Sequence, residues 1–315
     1  GDFASNVAMT LAKAARKAPV AIARAISDRV DLGADLVSVE VAPPGFLNLT
    51  VSDDLLRREV LGILQAGAEY GRSSVGKGEK VMIEYVSANP TGPLHVGHGR
   101  WAALGSVLAA LMRRAGYEVS EEFYVNDAGN QLQNLGRSIL YRMEDRPLPE
   151  DASEFYGGSY VQQAADAARA ELGGLEDLSE EERITRLADF GRDWFLAAQD
   201  ATLARMGTRF DRWTSERALH EAGAVQRMID RLEADGAIVR REGALWLRSS
   251  EHGDTEDRVV VRADGRPTYL AADMAYHADK FERGHDRLLD IWGADHHGYV
   301  ARIRDRKSTR LNSSH

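Results

Sequence analysis

The chain has 315 residues, 43% of them hydrophobic, no cysteine, and a formal net charge of -9 at pH 7. That length allows two domains with their own cores, and the missing cysteine excludes disulfides and thiolate zinc sites and fits a reducing cytoplasm. No apolar run approaches the roughly 18 residues of a membrane span, no signal-peptide pattern opens the chain, and the acidic total argues against a generally basic nucleic-acid coat while leaving room for a local basic face.

Gly1 to Asn6 runs into a helix without a leader, so a fragment that starts inside a domain is expected. From Val7 to Val30, Leu11, Ala15, Ile22 and Ile26 recur at helical spacing, and Pro19 divides the stretch into two short helices. Val37 to Val41 and Phe46 to Val51 alternate as strands, and a helix is predicted from about Asp53 to Tyr70. The Gly- and Ser-rich stretch from Gly71 to Gly78 marks a domain boundary.

Beyond it, Val81, Ile83 and Tyr85 belong to a strand that is apolar on both faces apart from Glu84, as in a buried parallel sheet. The turn Asn89-Pro90-Thr91-Gly92-Pro93 leads to a helix from about Val96 to Ala115, stopped by Gly116, and a second strand from Tyr117 to Val125. Strand, helix, strand is a βαβ unit, whose ligand crevice lies at the carboxyl ends of its strands. A helix is predicted from Asn126 to Met143, then a mostly helical, charged region from about Tyr156 to Asp235, with Ser179 and Glu182 as a capping box. Strand-like pieces return at Ala237 to Val239, Leu245 to Leu247 and Val259 to Val261, with Asp264-Gly265 as a hairpin turn. Leu288 to Gly293 reads as a further sheet strand, so the charged region is an insertion within an α/β domain.

One segment carries a definite chemistry. A phosphate chain needs converging donors, and a helix N-terminus supplies free N–H groups and a favourable dipole. His95 and His98, three apart, can face one point there, and Gly97 between them leaves room for a nucleotide to approach the backbone. Pro93 closes a rigid approach turn. The alternatives are a metal pair or a surface histidine cluster, but zinc needs about three or four ligands and no third stands nearby, so no metal site is expected. His296 and His297 beside Asp295 do not form one either, because adjacent strand residues point to opposite faces.

Pro93-Leu94-His95-Val96-Gly97-His98 resembles the HIGH motif of class I aminoacyl-tRNA synthetases. The longer frame from Glu84 to Arg100, together with Tyr124 to Gln131 and Ile291 to Gly298, is similar to the arginyl-tRNA synthetase family, and the similarity extends from about Asp2 to Arg304. The fold implied is α/β, a Rossmann-like doubly wound parallel sheet with a mainly helical insertion at about 145–255, inside a catalytic domain at 78–304. A small α+β domain at 1–72, incomplete at its start, precedes it and contacts tRNA. An unstructured and foreign tail is expected at 305–315.

The resemblance further implies that His95 and His98 are catalytic, that Pro93, His95, Gly97, His98, Gly293, Asp295 and His296 bind ATP, and that Glu84, Ser87, Asn89, Tyr269 and Asp273 bind arginine. Two acids and an amide suit a guanidinium, which offers a planar fork of donors. Other readings remain for these residues: Glu84 can pair with a buried arginine, and Tyr269 and Asp273, one turn apart, can cap or pack a helix. The implied reaction is an arginine–tRNA ligase's, with ATP as substrate, Mg²⁺ carried with it, tRNA(Arg) as acceptor and a monomer in the cytoplasm.

Lys307-Ser308-Thr309-Arg310 lies too close to Arg304 to be the family's lysine loop, so truncation before that loop and before the anticodon-binding domain is expected. Two alternatives stand beside the ligase: another HIGH-type nucleotidyltransferase, and a non-catalytic nucleotide- or tRNA-binding remnant.

Overall fold

The computed structural model describes residues 1–149, 151–252 and 256–293. The chain divides into two compact units, Gly1–Arg72 and a second that begins at Ser73. In the first, β1 (Phe3–Ser5) is followed by α1 (Val7–Ala15), α2 (Pro19–Ser27), β2 (Leu36–Ala42), β3 (Phe46–Val51) and α3 (Asp53–Ala66). Pro19 takes the first position of α2, where its missing N–H costs nothing. The strands form an antiparallel sheet in the order β1-β3-β2, and Ala8, Ile22, Ala23 and Leu47 form the core between sheet and helices. Ser52 caps α3 by accepting the Leu55 N–H at 3.2 Å. This helix ends at Ala66 and is continued to Glu69 by a 3₁₀ turn, short of the expected Tyr70.

The second unit runs β4 (Lys80–Glu84), α4 (Val96–Arg114), β5 (Glu118–Val125), α5 (Asn130–Met143), α6 (Ser159–Glu171), α7 (Glu180–Arg205), β6 (Arg212–Ser215), α8 (Glu216–Glu221), α9 (Ala224–Ala234), β7 (Ile238–Arg241), β8 (Ala244–Leu247), β9 (Arg258–Val261), α10 (Tyr269–Glu282) and β10 (Arg287–Asp290). A four-stranded parallel sheet in the order β10-β4-β5-β6 is its centre. Val81, Met82 and Ile83 of β4 are wholly buried, as their unbroken apolarity requires of a central parallel strand. Gly116, at φ +86, ends α4 in a conformation that suits glycine.

Two further layers complete the unit. The helices α5, α6 and α7 enclose Leu135, Ile139, Ala164, Leu187 and Phe195, with Ser179 and Glu182 forming the capping box at the start of α7. The antiparallel sheet β7-β8-β9 packs with α9 and α10 around Ile229, Leu232, Val260 and Met274. Among the described residues no helix is long and apolar enough to cross a membrane.

The expected helical insertion at 145–255 is not continuous, because Arg212–Ser215 is a strand of the central sheet, paired in parallel with β5. Four residues are too few to show a period. What places them is a non-local contact: the buried Thr214 hydroxyl donates to Glu122 Oε1 on β5 at 2.6 Å. The helix expected from Asn126 begins only at Asn130, since Asp127 is committed elsewhere, and β10 ends at Asp290 rather than Gly293.

Candidate active site

The carboxyl ends of the parallel strands gather the polar groups. Glu84 closes β4 and pairs in register with Asp290 at the end of β10. The chain then turns through Val86 and Ser87 with φ of 68° and 41°, a region that costs a β-branched residue on the order of 1–3 kcal/mol. The turn lets the Ser87 hydroxyl donate to Glu84 Oε1 at 2.9 Å while accepting the Tyr124 N–H at 3.1 Å.

Glu84 Oε2 accepts from Lys280 of α10 at 2.5 Å, and the same ammonium, 0% exposed, donates to Asp290 Oδ1 at 3.0 Å. Burial alone would lower the Lys280 pKa, but the two carboxylates outweigh it and raise it. Burial likewise works to raise Asp290, and Lys280 and His277 bring it well below the usual carboxylate range. Glu84 is thus paired with a buried lysine, where a buried arginine had been the alternative to substrate.

The next turn is held from the helical layer. Gln199 of α7, 1% exposed, donates from Nε2 to the Asn89 carbonyl at 3.0 Å and to the Gly92 carbonyl at 2.8 Å. The Asn89 residue stays exposed, as does Pro93. His95 then caps α4: its Nδ1 accepts the Gly97 N–H at 3.1 Å, and His98 Nδ1 accepts the His95 N–H at 3.2 Å. The rings stack with centroids 3.7 Å apart.

With both Nδ1 atoms accepting, the hydrogen-bond pattern assigns the ring protons to Nε2. Burial, then the neighbouring His95, lowers the His98 pKa to about 4, so His98 is a neutral donor at pH 7. A Cβ at position 97 would lie 2.9 Å from His95 Cε1. A side chain there would therefore push the stacked His95 ring out of its place, whatever the ligand.

A second cluster lies at the ends of β5 and β6. Glu216, the first residue of α8 and 5% exposed, has the Tyr124 hydroxyl as a hydrogen-bond partner and Asp273 and Asp127 as charged neighbours. Burial raises its pKa to about 7; the Tyr124 hydrogen bond opposes this, and the two aspartates add to it. Tyr124 itself is raised, first by burial and then by Glu216, Asp273 and Glu84 around it. Asp273 lies part-buried on α10, its backbone carbonyl accepting from His277 Nδ1 at 2.8 Å, whereas Tyr269 at the head of that helix is 70% exposed.

The structure thus joins Glu84 with Ser87, stacks His95 on His98 at the start of α4 just after the turn that carries Asn89, and sets Asp273 beside Glu216 and Tyr124. Gly293 follows β10, part-buried; Asp295, His296 and His297 lie outside the described residues, as does the stretch from 294 to 315. Among the described residues no group of three or more His, Asp or Glu gathers as a metal site. Glu216, Tyr124, Lys280 and Gln199 escaped the sequence reading. Lys280 was within reach, since Asp273, His277 and Lys280 fall on one helical face at spacings of four and seven; Glu216 was hidden with the short strand β6 that leads into its helix.

Residues 1–51 match the family described as arginyl tRNA synthetase N terminal domain, and residues 59–303 that of tRNA synthetases class I (R), catalytic domain. The arginine–tRNA ligase of Geobacter sp. strain M21 is 46% identical over 310 residues, which cover 96% of this chain and 56% of that protein. That of Shouchella clausii is 45% identical, with 96% and 55% covered. A solved structure from Campylobacter jejuni described as an arginyl-tRNA synthetase aligns with a TM-score of 0.73 at 40% identity, covering 82% of this chain and 57% of that one. The Thermus thermophilus arginyl-tRNA synthetase aligns at 0.60 and 27% identity, covering 85% and 46%. The chain spans about half the length of the curated relatives it matches.

Proposed function

The chain belongs to the class I (R), or arginyl, tRNA synthetase family, and from that premise we propose that the protein it represents is an arginine–tRNA ligase. It activates arginine with ATP to the adenylate and passes the arginyl group to tRNA(Arg). The observation that carries the substrate assignment is the set of acids around Tyr124, where Glu216 is hydrogen-bonded to the hydroxyl and Asp273 and Glu84, the latter already paired with Lys280, are charged neighbours at the strand ends. Clustered carboxylates at a ligand crevice call for a cation, and a guanidinium satisfies several planar acceptors at once. Glu84, Ser87, Asn89, Tyr269, Asp273 and Glu216 form the proposed arginine pocket.

The arginine carboxylate attacks the α-phosphorus of ATP and pyrophosphate leaves, so the protein supplies position and charge rather than a nucleophile. The Nε2–H groups of His95 and His98, beside the N-terminus of α4, donate to phosphate oxygens without a proton transfer. Pro93 and Gly97 shape that approach, and Gly293, Asp295 and His296 take the adenosine side. Mg²⁺ enters as part of the nucleotide substrate. Unit 1–72 is proposed to contact tRNA, within a monomer of the cytoplasm; its support is the N-terminal family match over residues 1–51.

The test is pyrophosphate exchange by the full-length protein, with and without tRNA, across the amino acids. Exchange driven by arginine is expected. Exchange driven by another amino acid would overturn the substrate assignment, and none with any would favour a binding remnant.

A further inference from the structure

The loop Asn126-Asp127-Ala128-Gly129 follows β5 and stands beside the pocket without entering the chemistry above. Its acid, Asp127, is 4% exposed and spends its lone pairs on one short segment. The Ser215 hydroxyl approaches both of its oxygens, at 2.9 and 2.7 Å, and the Arg217 N–H donates to Oδ1 at 2.9 Å. Arg217 Nε returns to the Asp127 carbonyl at 3.4 Å, and Arg192 stands 4.0 Å from Oδ2. Ser215 also accepts the Ala218 N–H at 3.0 Å, so the start of α8 is fixed at the same point.

The residue between the two that Asp127 grips is Glu216. With residues 215 and 217 both fastened to one carboxylate, the backbone at 216 is held on either side, and its side chain is hydrogen-bonded to Tyr124 with the like charge of Asp273 nearby. We propose that Asp127 is a positioning residue of the arginine pocket, a clamp on both neighbours of Glu216 that aims it into the crevice. The inference rests on the reading of Glu216 as a pocket carboxylate.

The clamp has an electrostatic side as well. The groups that face Glu216 are Tyr124 from β5, Asp127 from the following loop, Asp273 from α10 and, on its own helix, His220 at 3.8 Å. A neutral acceptor in place of Asp127 would keep part of the geometry and remove one of the two like charges that hold Glu216 toward its protonated form.

In the full-length enzyme, Asp127→Ala is expected to raise the arginine KM about tenfold or more while the ATP KM stays within about twofold. Asp127→Asn is expected to move the midpoint of the pH profile of arginine kcat/KM down by about half a unit. Ser215→Ala, which keeps the charge, is expected to raise the arginine KM and leave that midpoint in place. Should the alanine variant not fold, the asparagine and Ser215 variants decide by themselves. Arginine and ATP KM values that rise together, with an unmoved pH profile in Asp127→Asn, would show a merely structural loop and overturn the proposal. Glu216→Gln separates the two layers. An unchanged arginine KM there removes the pocket reading and this clamp with it, whereas a large rise there with normal Asp127 variants overturns the clamp alone.

Discussion

Lys280 shows how much one buried charge can organise. Its ammonium is shared between Glu84 and Asp290 and lies 4.2 Å from the Tyr276 ring centroid, fully out of water. Removing one partner of such a set leaves the others buried and uncompensated, so Lys280→Met should cost about 3–5 kcal/mol in denaturant unfolding. A loss below about 1 kcal/mol would mean that solvent reaches the site. Glu216 gives a second prediction. Its pKa of about 7 lies above the ordinary 4.5, so its contribution to stability is present below 4.5 and is lost as pH rises through 7. A bound guanidinium favours the ionised form. Arginine affinity should therefore climb as pH rises toward and past 7, with a proton released on binding; calorimetry in buffers of different ionisation enthalpy reads this directly, and Glu216→Gln should abolish it.

At the scale of elements, the start of α4 and the turn before it are built by different parts of the chain. The histidine capping box is local, and it needs His98 neutral. With the folded pKa near 4 and the ordinary value at 6.5, stability is full above about 6.5 and declines as pH falls toward 4. A proton titration of His98 by NMR should show the depressed midpoint, and a midpoint at 6.5 would refute the cap. The turn itself depends on Gln199 from α7, more than a hundred residues away. Gln199→Leu forfeits two hydrogen bonds, about 1 kcal/mol each. Because this turn carries Asn89 and leads to His95, the KM values for arginine and ATP should both rise in steady-state assays, in contrast to the arginine-only effect expected of Asp127.

For the whole molecule, the described residues of the proposed arginine pocket all fall in the unit that begins at Ser73. Arginine at about 100 times its Kd should stabilise that unit by about 2.7 kcal/mol. Hydrogen exchange should slow there and not in residues 1–72; protection of the first unit alone would contradict the pocket's location.

What the amino-acid order determined by itself is local or periodic. Pro19 divides α1 from α2, Ser179 and Glu182 announce α7, Gly116 stops α4, the apolar run of β4 marks a buried parallel strand, and the frame from Glu84 to Arg100 carries the family resemblance. Each of these signals is written in residues a few positions apart. The tertiary structure alone decided that Arg212–Ser215 joins the central sheet, that Glu216 stands with Asp273 at the strand ends, and that Glu84 meets Lys280, 196 positions away. A four-residue strand is too short to show a period, and a buried charge can be interpreted only when its partner is known, because desolvation makes its burial unfavourable until the chain has brought that partner into place.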